Sequence, residues 1–289
     1  MGHSCLRSLK LKLQLEVLEL GVLKYGSNEL FQKLISSCPV LYSLTIYRDY
    51  ADGLTVCDIT SSSLRFLQIT DGFLCDDTDQ LKICAPALEH LLFKHHGICE
   101  ISMEGLHSLM TVELDLNCVD CDDIDLCDLL VDQVIQAVNR AMVMKFYHST
   151  METLNGSLAE LSVPFDRLTE LYIEYDFCDW GRLEDLLHWF MKLRVLHIEK
   201  FEDISRCHWT DPTRVPDCLK LNLQHVSFIG FEGSNRVEYE LIRYILEHGS
   251  VLERIQLRGD PSESEKRLLM HQKISMFRKA SQSCQIEIS

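Results

Sequence analysis

The chain has 289 residues, 46% of them hydrophobic, and a formal net charge of −16. This hydrophobic fraction is too high for a disordered protein and is sufficient for a continuous core. No apolar run approaches the ~18 residues that a membrane-spanning helix needs. Because 44 acidic residues outweigh 28 basic ones, we expect no nucleic-acid partner and no membrane association, and we expect basic or neutral protein partners instead.

The thirteen cysteines bear on the cellular compartment. A disulfide framework is typical of small secreted chains with an even number of cysteines, whereas this chain is large and its number is odd. The first residues also lack the apolar stretch of a signal peptide. We therefore expect reduced thiols, most of them buried, in the cytoplasm or nucleus.

A short apolar frame recurs along the chain. In Leu41-x-x-Leu44-x-Ile46 the last two apolar side chains lie on one face of a strand. Ten copies, 21 to 32 residues apart, begin at Leu15, Leu41, Leu64, Leu88, Leu109, Ala141, Leu168, Leu193, Leu223 and Leu252. This period is typical of leucine-rich repeats, each with one strand and one return segment. The sequence therefore predicts an α/β leucine-rich-repeat solenoid, or horseshoe, with a parallel sheet.

The segments between the frames predict helices and extended returns. From Asn28 to Ser37 an apolar stripe, with Ser27 or Asn28 as the cap, predicts the first helix. The returns over 54–63 and 71–85 carry β-branched residues and turn formers, and we expect them to be extended or 3₁₀. Further helices are predicted over 126–139, 182–191, 237–248 and from 262 or 264 to near 277, before a closing strand over 285–288.

An acidic, cysteine-containing stretch lies between Leu114 and Val131. Cys118-x-x-Cys121 could begin a zinc site, but no second Cys or His pair stands at a matching spacing, and the carboxylates lack the calcium-loop pattern. A solvated acidic loop that leads into a helix is therefore favoured. The inward residues of this helix are predicted to be Leu129, Leu130, Val134, Ile135 and Val138.

Sequence motifs of catalysis are missing. The chain contains no Gly-x-Ser-x-Gly, no Gly-x-x-x-x-Gly-Lys-Ser/Thr and no Gly-x-Gly-x-x-Gly. The pair His95-His96, after the fourth strand, is interpreted as part of a polar loop at a strand end. We predict no catalytic residue, no cofactor, no bound metal and no enzymatic activity. The competing hypothesis is a hydrolase or metal protein that uses the Cys-, Asp- and His-rich middle of the chain.

The repeats offer a binding surface instead. Residues between the inward apolar positions face the other side of each strand, and parallel stacking places them on one concave face. The residues predicted to bind protein there are Tyr147, Glu170, Tyr172, Glu174, His197 and Glu199. Aromatic rings beside charges are typical of protein interfaces, although any sheet face of a soluble protein can be similarly mixed.

The C-terminal part of the chain carries an extended motif. It runs Trp209-x-x-Pro212-x-x-Val215-Pro216-Asp217-Cys218-Leu219 and then Leu223-x-x-Val226-x-Phe228-x-Gly230-Phe231-x-Gly233. The segment from Trp209 to Ile288 closely resembles the FBD domain of plant F-box/leucine-rich-repeat proteins. The irregular repeats before it resemble the preceding region of those proteins. The predicted domains are therefore repeats over 1–208 and an FBD domain over 209–289 that caps the solenoid.

The resemblance implies a function. In this family an F-box binds the Skp1-like adaptor of a cullin-type ubiquitin ligase, and the repeats select substrates. No F-box precedes the repeats in this sequence, so we expect no binding to a Skp1-like adaptor. The expected function is a non-catalytic protein-binding module similar to the substrate-recognition part of such a protein. The alternative is a truncated fragment without independent activity.

Single residues of these segments predict local structure. Only Asn117 stands at the Asn/Cys position that follows the strand of a regular repeat, so the backbone ladder of regular repeats is not expected. Trp209 and Cys218-Leu219 are expected to be buried anchors of the cap. Gly230 and Gly233 are expected to permit a tight turn from a strand into a helix.

Overall fold

The computed structural model describes residues 14–21, 23–49, 52–75, 79–97, 99–118, 124–157, 165–175, 180–200, 212–233, 236–259 and 264–289. The predicted anchor Trp209 lies outside these residues. The chain divides into two compact units, residues 1–141 with 152–163 and residues 142–151 with 164–289. None of the helices within the described ranges is long and apolar enough to cross a bilayer.

The described part of the first unit contains two parallel sheets. Its strands are β1 (Val17–Leu20), β2 (Ser43–Arg48), β3 (Val56–Thr60), β4 (Phe66–Cys75), β5 (Gln80–Cys84), β6 (His90–Gly97), β7 (Glu100–Glu104) and β8 (Thr111–Asn117). Strands β1, β2, β4, β6 and β8 pair in that order, and β3, β5 and β7 form the second sheet. The returns over 54–63 and 71–85 supply strands of this second sheet, so they are extended, as predicted.

The second unit contains a parallel sheet whose strands pair in chain order. They are β9 (Val143–Phe146), β10 (Glu170–Tyr175), β11 (Val195–Lys200), β12 (His225–Ile229), β13 (Arg254–Arg258) and β14 (Gln285–Ile288). The last strand has the bounds that the sequence predicted.

Helices connect many of these strands. They are α1 (Asn28–Ser36), α2 (Ile124–Val138), α3 (His148–Ser157), α4 (Trp180–Trp189), α5 (Asp217–Leu221), α6 (Arg236–His248) and α7 (Ser264–Ser275). Ser27 caps α1 by accepting a hydrogen bond from Leu30 N. The inward prediction for Leu129 of α2 is wrong, because Val131 is buried instead and Leu129 is 53% exposed. Helix α5 contains the predicted anchors Cys218-Leu219, which are buried.

Each of the ten frames overlaps a parallel strand, and in all but the first the apolar residues face the core, whereas Leu15 of the first frame is 38% exposed. In the first unit Leu44, Leu67 and Leu91 lie in register on neighbouring strands, and each is at most 2% exposed. In the second unit Leu171 and Leu196 are register partners and are fully buried. The spacing in the sequence therefore identified the strands and their inward face correctly.

A main-chain ladder joins the start of one strand to the start of the next. Tyr42 O accepts hydrogen bonds from Arg65 N and Phe66 N at 2.9 and 3.0 Å. The same doubled bond is made by the carbonyl oxygens of Glu16, Arg65, Glu89, Met142, Thr169, Arg194 and Gln224. This ladder lies at the start of the strands, uses main-chain groups and requires no particular side chain. It differs from the ladder that depends on Asn or Cys after the strand, so the expected absence of that ladder stays a prediction.

Charged side chains lie inward at the ends of β2, β4 and β6. Arg48, Asp71 and His95 are register partners, and each is at most 7% exposed. Arg48 Nε lies 2.8 Å from Asp52 Oδ2, and Asp71 Oδ2 lies 3.7 Å from Arg48 Nη1 and 3.4 Å from His95 Nδ1. The interpretation of His95 as part of a polar loop is wrong, because it belongs to β6 and is buried beside an opposite charge that compensates for lost hydration.

Two glycines shape the turn between β12 and α6. Gly230 and Gly233 have φ values of +79° and +63°, which glycine adopts without the strain that a side chain would cause. A Cβ atom at Gly233 would also collide with Met270 and would lie 2.8 Å from the Tyr239 hydroxyl. The Gly233 amide donates a hydrogen bond to Glu238 Oε2 at 3.0 Å. Both glycines therefore adopt the positive φ that a tight turn after β12 requires.

The stacked leucines provide a test of the fold. Leu67→Ala removes a buried side chain from the centre of the first unit, so we expect the free energy of unfolding to fall by about 2–5 kcal/mol in urea denaturation. The matched control is Leu221→Ala, because Leu221 is 65% exposed; its effect should stay within about 0.5 kcal/mol. Equal losses for the two variants would contradict the inward assignment of the frame.

The buried charges predict a pH dependence. Burial opposes the charged form of His95, but the Asp71 carboxylate and the Cys99 thiol more than offset burial and raise the pKa of His95 to about 9. The stability that His95 adds is therefore complete below its ordinary pKa of about 6.5 and is lost as the pH rises toward 9.

We expect the difference in unfolding free energy between the parent chain and His95→Gln to shrink by about 2–3 kcal/mol between pH 6 and pH 9. Urea denaturation at intervals of half a pH unit measures this difference. A difference that is constant with pH would mean that His95 is buried in its neutral form.

Candidate protein-binding face

The predicted binding residues lie on one side of the sheet of the second unit. In β10, Glu170, Tyr172 and Glu174 alternate with the buried Leu171 and Ile173, so they point away from the core. We call this side of the sheet β9–β14 the site face. The parallel register extends it, because the predicted residues of β11 lie opposite those of β10.

Glu170, Tyr172 and His197 form a cluster on the site face. The Tyr172 hydroxyl donates a hydrogen bond to Glu170 Oε1 at 2.7 Å. His197 Nε2 lies 3.2 Å from the same oxygen, and since an ionised carboxylate only accepts, Nε2 carries the proton. The two rings are stacked, with centroids 4.0 Å apart and an interplanar angle of 10°. These contacts fix the three side chains relative to one another.

The electrostatics of the cluster leave it with a negative charge. Burial lowers the pKa of His197 below its ordinary value, and the Glu170 carboxylate reverses this only in part. Burial and the bond to Glu170 raise the pKa of Tyr172 to about 12, so its hydroxyl stays protonated and keeps donating. The Glu170 carboxylate therefore accepts from two neutral donors, and the cation that acts electrostatically on both rings, Arg258, lies outside this hydrogen-bonded cluster.

Lys145 connects two further predicted residues. Its Nζ lies 3.0 Å from Glu174 Oε1 and 4.4 Å from the centroid of the Tyr147 ring. The side chains of Lys145 and Glu174 are 28% and 16% exposed. A half-exposed pair of this kind contributes little to stability, but it fixes the position of the Glu174 carboxylate and lays a cation over an aromatic ring.

Glu199 and Ser227 complete the face in different ways. Glu199 lies opposite Glu174 in the register, and no hydrogen bond or ion pair to its side chain occurs among the described residues. Sequence reasoning missed Ser227, which lies opposite His197, is 3% exposed, and has no hydrogen-bond partner for Oγ within the described part of the chain. Its offset in the frame equals that of Tyr172 and His197, which is the signal that would have identified it.

The corresponding side of the first unit is chemically different. The rings of Phe66 and His90 are stacked with centroids 4.3 Å apart, and Tyr42 lies 5.2 Å from Phe66. Phe66 and His90 border a cleft of about 270 Å³. Nearby, Lys94 Nζ lies 3.2 Å from Asp115 Oδ2. None of the six predicted binding residues lies in this unit.

The cysteines of the acidic stretch bear on the metal hypothesis. Cys118 Sγ lies 3.9 Å from Gly97 O, and Cys127 Sγ lies 3.6 Å from Cys118 O. Cys121 is outside the described residues. Among those that are described, no group of three His, Cys, Asp or Glu side chains is arranged to hold a metal ion.

The class of protein follows from these elements. Parallel sheets whose strands recur in chain order with the inward frame Leu-x-x-Leu-x-Ile define an α/β protein that is consistent with a leucine-rich-repeat fold. Residues 211–257 match the FBD family. This match includes β12, α6 and the glycine turn between them, and it lies within the segment that resembled an FBD domain.

Several relatives from Arabidopsis thaliana are similar over most of the chain. The F-box/FBD/LRR-repeat protein At5g22660 is 26% identical over 286 residues, covering 95% of this chain and 64% of the relative. The FBD-associated F-box protein At3g52670 is 27% identical over 285 residues, covering 94% and 61%. The resemblance to F-box/FBD/leucine-rich-repeat proteins is thereby confirmed. No solved structure matches the chain.

These matches cover only part of the relatives. The chain spans 61% to 64% of the length of the curated relatives it matches. The names of three of these relatives combine an F-box, an FBD and leucine-rich repeats, which are features of interaction proteins. The chain is therefore similar to a class of protein-interaction modules.

The cluster on the site face predicts a measurable titration. His197 should titrate below its ordinary pKa, and Glu170→Gln should lower the value further, because the carboxylate is the group that favours the charged ring. Chemical shifts of the ring protons between pH 3 and pH 8 measure both values. Glu253→Gln, on the neighbouring loop before β13, is the matched control and should leave the titration unchanged. A rise of the His197 pKa in Glu170→Gln would contradict the contact between His197 and the Glu170 carboxylate.

Proposed function

We propose that this chain is a non-catalytic protein-binding module whose ligand docks on the site face. The observation that carries the proposal is the cluster of Glu170, Tyr172 and His197, in which two stacked rings are held by one carboxylate. Aromatic side chains that are already ordered lose little conformational freedom on binding, and they dominate the energy of many interfaces.

The chemistry of the face supports a ligand with exposed Lys or Arg. Glu170, Glu174 and Glu199 place three carboxylates on adjacent strands, and Lys145 pairs with one of them. A cationic side chain of a ligand can reach Glu199 without displacing a partner among the residues that the structure describes. The net charge of −16 also attracts a basic segment and speeds its approach at low salt.

The proposed role resembles the substrate-recognition part of an F-box protein of a cullin-type ubiquitin ligase. The names of relatives support this role, since they contain the terms F-box, FBD and LRR-repeat together. In this proposal the repeats over 1–208 form a solenoid with a concave binding face, and the FBD domain over 209–289 closes it. The ligand is then a protein substrate or partner.

Tyr172→Ala tests the binding face. The ligand for this test is a partner that the full chain captures and that is then purified. We expect Tyr172→Ala to weaken its binding free energy by about 1–3 kcal/mol, because the change removes the ring that stacks on His197. Isothermal titration calorimetry measures the loss, and binding should weaken as salt is raised from 50 to 300 mM. Lys33→Ala, a change on the exposed side of α1, is the control and should have no effect.

Folding of the variant is checked by its thermal denaturation, since Tyr172 is only half-buried. A partner that binds Tyr172→Ala and the parent chain equally well, with Lys33→Ala also unchanged, would show that the ligand docks elsewhere. A partner whose affinity is insensitive to salt would contradict the basic character proposed for the ligand.

A further inference from the structure

The last helix presents an apolar ridge to solvent. Its inner side is anchored by Met270 and Ile274, which are 2% and 0% exposed. On the outer side, Leu268, Leu269 and Met276 are 59%, 60% and 77% exposed. In a globular helix the outer side is normally polar, so three large apolar side chains here require a separate explanation.

The three residues lie on the outer side of α7 and of the turn that follows it, with the exposed Gln272 between the two leucines and Met276. Leu268 and Leu269 are adjacent in α7, and Met276 follows the end of the helix, two turns beyond Leu268. The helical path continues to Met276, whose amide donates a hydrogen bond to Lys273 O at 3.3 Å. We call this surface, made of Leu268, Leu269 and Met276, the α7 ridge.

The segment that carries the α7 ridge is basic in an acidic chain. Residues 264–289, from the start of α7 to Ser289, contain five Lys or Arg and two Glu, whereas the rest of the chain has 23 basic residues against 42 acidic ones. Arg267 and Arg278 are exposed beside the ridge. Lys273 is held with its Nζ 3.4 Å from the centroid of the Tyr239 ring, and Lys279 donates a hydrogen bond to Cys284 O at 3.0 Å.

We propose that the α7 ridge is a second docking site, separate from the site face, and that it binds an acidic amphipathic protein segment. Such a segment places its apolar side chains on Leu268, Leu269 and Met276 and its carboxylates on the flanking cations. This is the arrangement in which helices dock on apolar surfaces, with charge setting the choice of partner.

The size of the apolar surface decides between this occupant and an anionic membrane surface. The α7 ridge has three apolar residues, which suffice for a peptide contact and are few for stable insertion into a bilayer.

The test uses the full chain and a fluorescein-labelled peptide of 18 residues made of Glu, Ala and Leu, with the leucines at helical spacing. Fluorescence anisotropy should give a Kd on the order of 1–100 µM at 50 mM salt. The double variant Leu268→Ser with Leu269→Ser should weaken binding about tenfold or more. Arg278→Glu should weaken binding several-fold and reduce its salt dependence.

Matched controls separate this site from others. Leu221→Ser changes an apolar residue of similar exposure in α5 and should have no effect. Tyr172→Ala on the site face should also have no effect on peptide binding. A failure of the α7 ridge proposal can therefore be distinguished from a failure of the proposed function. All changed residues at the ridge are exposed, so their thermal denaturation should match that of the parent chain.

Several outcomes would overturn the proposal. They are absence of peptide binding, equal affinity for a peptide with Lys in place of Glu, and equal binding by the Leu268/Leu269 double variant and the parent. Stronger binding to vesicles with 30% phosphatidylserine than to the peptide would assign the ridge to a lipid surface. Self-association in sedimentation equilibrium that the double variant abolishes would assign it to a second copy of the chain.

Discussion

The doubled main-chain hydrogen bond at the start of β2, β4, β6, β8 and β10–β13 is the contact on which the repeats depend. A carbonyl such as Tyr42 O accepts from two successive amides of the next repeat, which fixes the register of the following strand. A slip of one residue would turn the leucines of that strand outward. The same bond occurs in both units, so irregular returns of different length still deliver their strands in one register.

This constraint explains how much of the fold the sequence predicts. The inward frame needs apolar residues at fixed spacing, so it is visible in a single sequence, and Leu44, Leu67 and Leu171 lie where the frame predicts. The return segments have no fixed spacing of apolar residues that would predict their structure. Helix α3 was missed because its sequence is largely polar and has no clear apolar period. Leu129 was placed inward because α2 is apolar on more than one side.

The cluster of Arg48, Asp71 and His95 shows a part of the core that an apolar sequence pattern does not predict. These residues continue the inward positions of their strands beyond the apolar frame, where a hydrophobic pattern predicts the strand to have ended. They remain buried because each charge has an opposite charge nearby. A pattern that counts apolar residues does not register compensation between charges from three different repeats. Loss of Asp71 would remove the carboxylate that lies beside the buried His95, whereas Arg48 would still pair with Asp52.

The site face follows from the same register. The offsets of Tyr172 and His197 within their frames are equal, so parallel pairing alone brings the two rings together, and this proximity was predictable. The single carboxylate oxygen that both side chains contact was not, because it depends on rotamers rather than on spacing. Glu170 thereby orders the rings but has less capacity left for a ligand. A cationic ligand therefore gains most from Glu199, whose charge no described side chain of this protein compensates, and the stacked rings provide an adjacent surface that is already in position.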